Sequence, residues 1–156
     1  MAVDLDDLDL RIVALLLKDA RTPAAQIAEQ IGLSRPAVAD RLDKLERQGV
    51  IRGTTAVVDP VALGRTVTAF IAARGATLPA GSWKKFRELM ARDEVLEAHT
   101  VAGDDCYLIK VRAESIGALN TLVQQLTALS LVTRTTIVME THCEKVGGID
   151  LGGSTK

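Results

Sequence analysis

Cysteine and histidine are scarce in this chain of 156 residues, which contains two of each. Cys106 and Cys143 are too few for the disulfide framework of a small secreted protein, and they do not complete a thiolate zinc site. No apolar run approaches the ~20 residues of a membrane span. The first nine residues contain four aspartates, the reverse of the basic start of a signal peptide. These absences predict a soluble cytosolic protein with no cofactor and no metal.

An excess of positive charge is also missing. The 19 Lys and Arg residues face 20 Asp and Glu residues, for a formal net charge of -1. Near-neutrality argues against a protein that binds nucleic acid by bulk charge. The hydrophobic fraction of 47% and the charged fraction of 25% are those of folded globular proteins. The length fits one ordinary domain or two small ones, so local patterns must decide the function.

The first 53 residues have a helical pattern throughout. Leu8, Ile12 and Leu15 recur at helical spacing. Aspartates just before this run provide an N-cap for the first helix. Thr22 is predicted to cap a second helix, with Pro23 at the first helical position, where a missing N–H costs nothing.

A short turn separates the second helix from a third. Gly32 suits a left-handed C-cap, and Ser34 suits an N-cap with Pro36 in the first turn that follows. Val38 and Leu45 share the inner side of the third helix. Two helices joined by so short a turn predict a helix-turn-helix.

The pattern changes after a turn-rich segment near residue 60. Residues 50–58 are rich in β-branched side chains and predict a strand or wing. From there, strands and helices in the order βαββαβ predict a ferredoxin-like unit, in which Ser82 and Ser115 cap the two helices and Ile116 faces the core. The predicted fold class is α+β, a winged helix-turn-helix followed by a ferredoxin-like domain. The predicted boundaries are a DNA-binding domain at 1–53, a linker at 54–64, the ferredoxin-like domain at 65–142 and a frayed tail at 143–156.

A helix-turn-helix places its second helix in the major groove, with the N-terminal residues at the base edges. Arg35 is then predicted to read guanine or hold a phosphate, whereas Arg41, Lys44 and Arg52 are better placed for the DNA backbone. Solvated helix surface with local acidic partners is the alternative for these charges. The candidate DNA-contacting residues are Ser34, Arg35, Pro36, Ala39, Asp40, Arg41, Lys44 and Arg52.

The charges within this half of the chain nearly cancel. Eight basic residues face nine acidic residues up to residue 53, and four of the acids precede the first helix, away from the presumed groove. Residues 35–52 contain five basic and three acidic residues. So small a surplus predicts weak binding by a monomer, and specificity through paired recognition helices in an oligomer.

Short motifs in both halves form one series along the chain. They are LDDLD at 5–9, DAR at 19–21, IGLS at 31–34, GVI at 49–51, VDP at 58–60, VAGDD at 101–105 and RTTIV at 134–138. In this order they resemble the Lrp/AsnC (feast/famine) transcriptional regulators over about residues 4 to 141. The resemblance implies a regulator that binds double-stranded DNA through its first module and dimerises through its second, with further assembly into tetramers or octamers. It also implies an amino acid or related small metabolite as effector.

The resemblance further implies where the effector binds. In the family the glycine-acid turn between the second and third strands lines the effector pocket. Carried over, this turn is Gly103, Asp104 and Asp105, with Cys106 and Tyr107 adjacent. On chemical grounds, the hydroxyls of Thr133, Thr135 and Thr136 on the final strand are further candidates for effector binding. An ordinary hairpin turn is the alternative. Many relatives have an acid where this chain has Cys106, and a thiol does not balance a ligand ammonium.

Other function classes fit the sequence less well. His99 and Cys106 are predicted to face each other on neighbouring strands, but a packed sheet histidine explains His99 better than a catalytic pair. No phosphate loop or nucleophile elbow is present, so an enzyme is not predicted. A nucleoid-type architectural DNA-binding protein without an effector shares every DNA-binding feature. A sensor that has lost DNA binding is a further alternative, because Asp40 and Asp43 lie on the exposed side of the third helix.

Overall fold

The computed structural model describes residues 3–75, 78–79 and 81–144, which form two compact units. The first unit extends to Val57, and the second runs from Val58 to Cys143. Each unit has a hydrophobic core of its own. The frayed tail predicted from residue 143 lies outside the described residues beyond Glu144.

The first unit contains three helices: α1 (Asp7–Lys18), α2 (Ala24–Ile31) and α3 (Arg35–Arg47). Their inner sides meet around Ile12, Ile27, Val38 and Leu45, each with no exposed surface. Burying a side chain of this size stabilises the fold by about 1.5–3 kcal/mol. The apolar spacing therefore predicted the packed faces correctly, and α2 and α3 form the expected helix-turn-helix.

The turn between α2 and α3 depends on two backbone features. Gly32 adopts the left-handed conformation with φ 74°, which a side chain would disfavour. Ser34 is the N-cap of α3, and its hydroxyl accepts a hydrogen bond from the Ala37 N–H at 3.4 Å. Both features agree with the prediction from sequence.

The start of α2 differs from the prediction. Pro23, not Thr22, occupies the N-cap position, with φ -64° and ψ 147°. The Thr22 hydroxyl instead donates to the carbonyl of Asp19 at 2.7 Å. The hydroxyl is therefore used at the end of α1, and the predicted Thr22 cap is wrong by one residue.

The strand predicted at residues 50–58 is absent from the structure. Val57 and Val58 are 73% and 58% exposed, and neither lies in a strand. A strand requires a hydrogen-bonded partner, and the described part of the first unit contains no other strand. A β-branched composition alone therefore did not predict a strand correctly at residues 50–58.

The second unit has the order βαββαβ. Its elements are β1 (Val67–Arg74), α4 (Ser82–Met90), β2 (Val95–Thr100), β3 (Tyr107–Ala113), α5 (Ile116–Thr127) and β4 (Val132–Ile137). The four strands form an antiparallel sheet in the order β2-β3-β1-β4. This topology is the ferredoxin-like split motif, as predicted.

The core of the second unit lies between one face of the sheet and its two helices. Ile71 and Ile109 from the sheet meet Leu122 and Leu126 from α5, and all four are at most 1% exposed. Neighbouring strand residues point to the opposite face. Phe70 and Leu108, which alternate with these core positions, are each 38% exposed, and we call the surface around them the open sheet face.

The predicted N-cap is correct for α5 and wrong for α4. Ser115 caps α5 and accepts from the Ala118 N–H at 3.1 Å, as predicted. Gly81, with φ 89°, caps α4, so Ser82 is the first helical residue and the predicted Ser82 cap is wrong. Ile116 is 63% exposed instead of facing the core. It is the first residue of α5, and the packed side of the helix begins only at Leu119.

Candidate nucleic-acid interface and effector turn

The N-terminal end of α3 is exposed to solvent. Ser34, Arg35, Pro36, Ala39 and Asp40 are all exposed. Pro36 has no N–H and the Ala37 N–H donates to Ser34, so the Arg35 N–H is the donor of this turn that is left for a phosphate, while the side chains that follow suit base edges. The structure therefore places these five candidate DNA-contacting residues together at one exposed end of α3.

Two of the predicted backbone-contacting residues have partners within the protein. The Arg41 Nη1 atom lies 2.6 Å from Asp9 Oδ1 and 2.7 Å from Asp6 Oδ2. The Lys44 Nζ atom lies 3.0 Å from Asp9 Oδ2. The acids at the start of the chain were predicted to lie away from the presumed groove, but Asp6 and Asp9 contact two of the predicted DNA-contacting residues, Arg41 and Lys44. The first turn of α1 meets α3 in the fold, which a linear charge count does not reveal.

These acids remain ionised in the folded protein. Burial by itself raises the pKa of Asp9, but hydrogen bonds from Lys44 and Arg41 outweigh burial and bring it below the ordinary value. The hydrogen bond from the Asp9 N–H, together with that from Arg41, lowers the pKa of Asp6. The pKa of Arg41 is raised, first by Asp6 and then by Asp9. The cluster therefore holds two positive and two negative charges.

Three other arginines in α3 or just after it have side chains without a partner among the described residues. Arg35, Arg47 and Arg52 are exposed. Within the described ranges, no hydrogen bond or ion pair joins the side chain of any of the three to another residue. Arg47 was not included in the candidate set. Helical periodicity, read one turn beyond Lys44, places it on the outer side of α3 and is the signal that could have identified it.

The glycine-acid turn joins β2 to β3. The Val101 N–H donates to the Cys106 carbonyl at 2.9 Å, and the Cys106 N–H donates to the Ala73 carbonyl at 2.9 Å. Gly103 has φ 138°, a conformation that favours glycine, and no atom lies within 4 Å of where a Cβ would be. The turn is therefore anchored at its base, with open space above Gly103.

The two acids of the turn differ in their surroundings. Asp104 is exposed, whereas the Asp105 carboxylate accepts a hydrogen bond from Arg134 Nη2 at 3.1 Å. Arg134 stands on β4 within the RTTIV motif, but it was not among the predicted site residues. Only the sheet order, which places β4 beside β1 and β1 beside β3, brings the arginine to the turn.

The predicted hydroxyl residues divide between the two faces of the sheet. Ala73 pairs with both Tyr107 and Thr133, so these two lie on the helix-covered face beside one buried residue. Thr135 pairs with the core residue Ile71 and shares that face. Thr136 pairs with Phe70 and therefore lies on the open sheet face. The structure groups Thr133 and Thr135 with Tyr107 and separates Thr136 from them.

The cysteine and histidine of this sheet do not meet as predicted. The Cys106 thiol donates to the Gly75 carbonyl, with the sulfur 3.4 Å from the oxygen. His99 pairs with Leu108, and its Nε2 atom lies 3.3 Å from Glu97 Oε2. The predicted facing of His99 and Cys106 is wrong because the strand register opposes His99 to a residue two positions further on.

Over residues 3–75, 78–79 and 81–144, no group of three or more His, Cys, Asp or Glu side chains is arranged to hold a metal ion. No helix in the same ranges is long and apolar enough to cross a membrane.

Comparisons with known proteins assign both units. Residues 5–52 match the winged helix-turn-helix DNA-binding family, and residues 75–147 match the Lrp/AsnC ligand-binding domain. An HTH-type transcriptional regulator of Pyrococcus abyssi is 34% identical over 92% of this chain and 95% of its own length. The leucine-responsive regulatory protein of Escherichia coli is 34% identical over 88% and 86%, respectively. The crystal structure of the leucine response regulatory protein LrpA of Mycobacterium tuberculosis superimposes with a TM-score of 0.77 at 34% identity, covering 90% of this chain and 97% of that one. The chain therefore belongs to the Lrp/AsnC family of DNA-binding transcriptional regulators, which are not enzymes.

Proposed function

We propose that this regulator recognises specific DNA sequences, and that an amino acid or a related small metabolite controls its assembly and its affinity for DNA. The observation that carries the proposal is the presence, in one chain, of an exposed α3 N-terminus and a ligand-binding domain with a free acid at its glycine turn. The regulator acts on the DNA of the cytoplasmic nucleoid.

Sequence recognition begins at the first turn of α3. Arg35 donates to the acceptors of a guanine or to a phosphate, and the Ser34 hydroxyl with the Arg35 N–H holds the DNA backbone. Arg52 adds a further phosphate contact. Because so few cations are unengaged, one copy binds weakly, and two copies presenting two α3 helices supply the missing affinity.

Self-association uses the open sheet face. Phe70 and Leu108 lie on adjacent strands of this face, each with more than a third of its surface exposed. Packing a second copy against them removes apolar surface from water. Tetramers or octamers built from such dimers follow the pattern that the family resemblance implies.

The effector binds at the glycine-acid turn. Gly103 leaves backbone N–H groups accessible to a carboxylate, and Asp104 has no partner within the described ranges and faces an ammonium. Tyr107, Thr133 and Thr135 supply the neighbouring face. The leucine-responsive relative bears leucine in its name, but Cys106 departs from the acidic pattern of many relatives, so no single amino acid is assigned.

The test is a thermal-shift screen of the full chain against the common amino acids. A ligand bound by the native state alone raises the melting temperature. The active ligand must then change both the sedimentation coefficient and the affinity for DNA, because equal affinity for two assemblies shifts nothing. If no amino acid or related metabolite acts, the effector proposal fails.

Footprinting tests the DNA side independently of the effector. Protection at discrete, regularly spaced sites supports a sequence-specific regulator. Uniform coating of the DNA supports the alternative, a nucleoid-type architectural protein without an effector. No protection at any salt concentration would indicate a sensor that has lost DNA binding.

A further inference from the structure

Among the described residues, Asp9 is the one charged or polar residue that is buried, and its exposed fraction is 0%. Removing a carboxylate from water is costly unless charged hydrogen-bond donors replace the water. No catalytic or effector role requires a carboxylate at this position in α1. Its placement therefore calls for a physical explanation.

The donors come from α3. Arg41 Nη1 donates to Asp9 Oδ1 at 2.6 Å, and Lys44 Nζ donates to Asp9 Oδ2 at 3.0 Å. Residues three apart are neighbours on a helix surface, so the two cations hold the two oxygens of one carboxylate. We call this arrangement the α1–α3 clamp.

Asp6 reinforces the clamp from the start of α1. Its Oδ1 atom accepts from the Asp9 N–H at 2.7 Å and from Arg41 Nη1 at 2.9 Å. One side chain therefore caps α1 and contacts α3. The start of α1 and the middle of α3 are fixed relative to each other by charged hydrogen bonds, which depend on geometry more strongly than apolar contacts do.

We propose that Asp9 is a positioning residue for DNA recognition, and that Arg41 and Lys44 serve DNA binding by holding α3 through Asp9 instead of contacting phosphate. The inference rests on DNA binding through α3. The clamp lies about two turns beyond Arg35, so it sets the angle at which the N-terminal end of α3 meets the groove. The cations left for DNA are Arg35, Arg47 and Arg52.

The decisive variant is Asp9→Asn, because the two roles predict changes of opposite sign. If Arg41 and Lys44 contact phosphate, removing the Asp9 charge frees Lys44 and leaves Arg41 with Asp6 alone, which strengthens DNA binding. If they position α3, the same variant weakens binding. Asp7→Asn is the matched control, since it removes the same charge from an exposed residue of the same helix.

Affinity is measured by fluorescence anisotropy with the full chain. The probes are a duplex selected from a random library by the wild-type protein and a scrambled duplex of the same composition. We expect Asp9→Asn to bind the selected duplex about tenfold more weakly than Asp7→Asn, with a smaller loss on the scrambled duplex. A variant that is only partly unfolded loses both affinities in equal proportion. Binding by Asp9→Asn as tight as that of Asp7→Asn, or an equal loss on both duplexes, overturns the inference.

Lys44→Ala provides a second test if Asp9→Asn does not fold. Each phosphate contact contributes about 0.9 to the slope of log affinity against log salt concentration. We expect Lys44→Ala to weaken binding with that slope unchanged, whereas Arg47→Ala, from the same helix, reduces the slope. A reduction of the slope by about 0.9 in Lys44→Ala shows a phosphate contact and contradicts the inference.

Hydrogen exchange tests the clamp without DNA. We expect Asp9→Asn to speed exchange of α3 amides while β1 and β3 amides keep their wild-type rates. Unchanged protection of α3 refutes the clamp. Failure of the wild-type protein to bind any duplex would instead refute the proposed function, so the two failures are distinguishable.

Discussion

Arg134 Nη2 lies 3.1 Å from Asp105 Oδ2, although 29 positions separate the two residues in the chain. The contact ties the glycine-acid turn to the last strand of the sheet. Asp105 is consequently engaged within the protein, and Asp104 is the acid of the turn that is left exposed. The two neighbouring aspartates therefore have different roles at the candidate effector site.

Asp104→Asn should abolish the response to the effector. The substitution removes the charge that faces a ligand ammonium, so the ligand-induced rise in melting temperature and the change in sedimentation should both disappear. The melting temperature without ligand should stay within about 2 °C of wild type, because exposed substitutions of this kind change stability by less than ~0.5 kcal/mol. Asp93→Asn, which alters another exposed acid of the same unit, should respond like wild type. A full response in Asp104→Asn would remove Asp104 from the site.

Arg35→Ala should weaken DNA binding and also relax sequence preference. A bidentate contact to a base contributes about 1–3 kcal/mol of discrimination. Competition between the selected and scrambled duplexes measures the preference directly. A uniform loss on both duplexes would instead assign Arg35 to a phosphate.

Acid should weaken the N-terminal unit through Asp9. The pKa of Asp9 is lowered in the folded protein, so its contribution to stability is present above the unfolded value of about 3.9 and is lost as the pH falls through the lower folded value. Urea unfolding followed by far-UV circular dichroism should show a large gap between wild type and Asp9→Asn at neutral pH. The gap should close below about pH 4. A gap that stays constant down to about pH 2 would show that ionisation of Asp9 does not stabilise the fold.

Phe70→Glu should dissociate the proposed dimer. Burying a carboxylate without a partner against a second copy costs several kcal/mol, and the residue lies on the open sheet face, so the monomer should keep its fold. Sedimentation velocity measures the change, and Leu108→Glu should behave in the same way. Ile116→Glu is the control, because this exposed apolar residue belongs to the helix-covered side of the unit. An unchanged dimer in both sheet variants would move the interface elsewhere.

The main features of the fold could be predicted from local patterns. The spacing of Ile12, Ile27 and Val38 identified the packed side of each helix, because helical periodicity directly determines which residues share a face. Gly32 and Ser34 marked the turn, since each satisfies a local backbone requirement. The strand predicted at residues 50–58 failed because a strand depends on a partner elsewhere in the chain, which composition does not specify.

The candidate site was predictable only in part for the same reason. The motif around Gly103 indicated the turn, yet Arg134 was missed because its contact depends on sheet order. Thr136 was grouped with Thr133 although alternation along the strand places it on the other face.

The sequence by itself determined the two modules, the helix-turn-helix and the family resemblance, because each depends on short-range spacing or on motif order. Only the tertiary structure decided which charges are engaged. Asp9 and Arg41 are 32 positions apart, and packing of α1 against α3 brings them into a hydrogen bond. A count of charges along the chain treats both as surface charge. The Asp9 carboxylate is buried and paired with Arg41 and Lys44, so these charges offset one another within the fold. This leaves Arg35 as the cation at the N-terminal end of α3 whose side chain has no partner among the described residues.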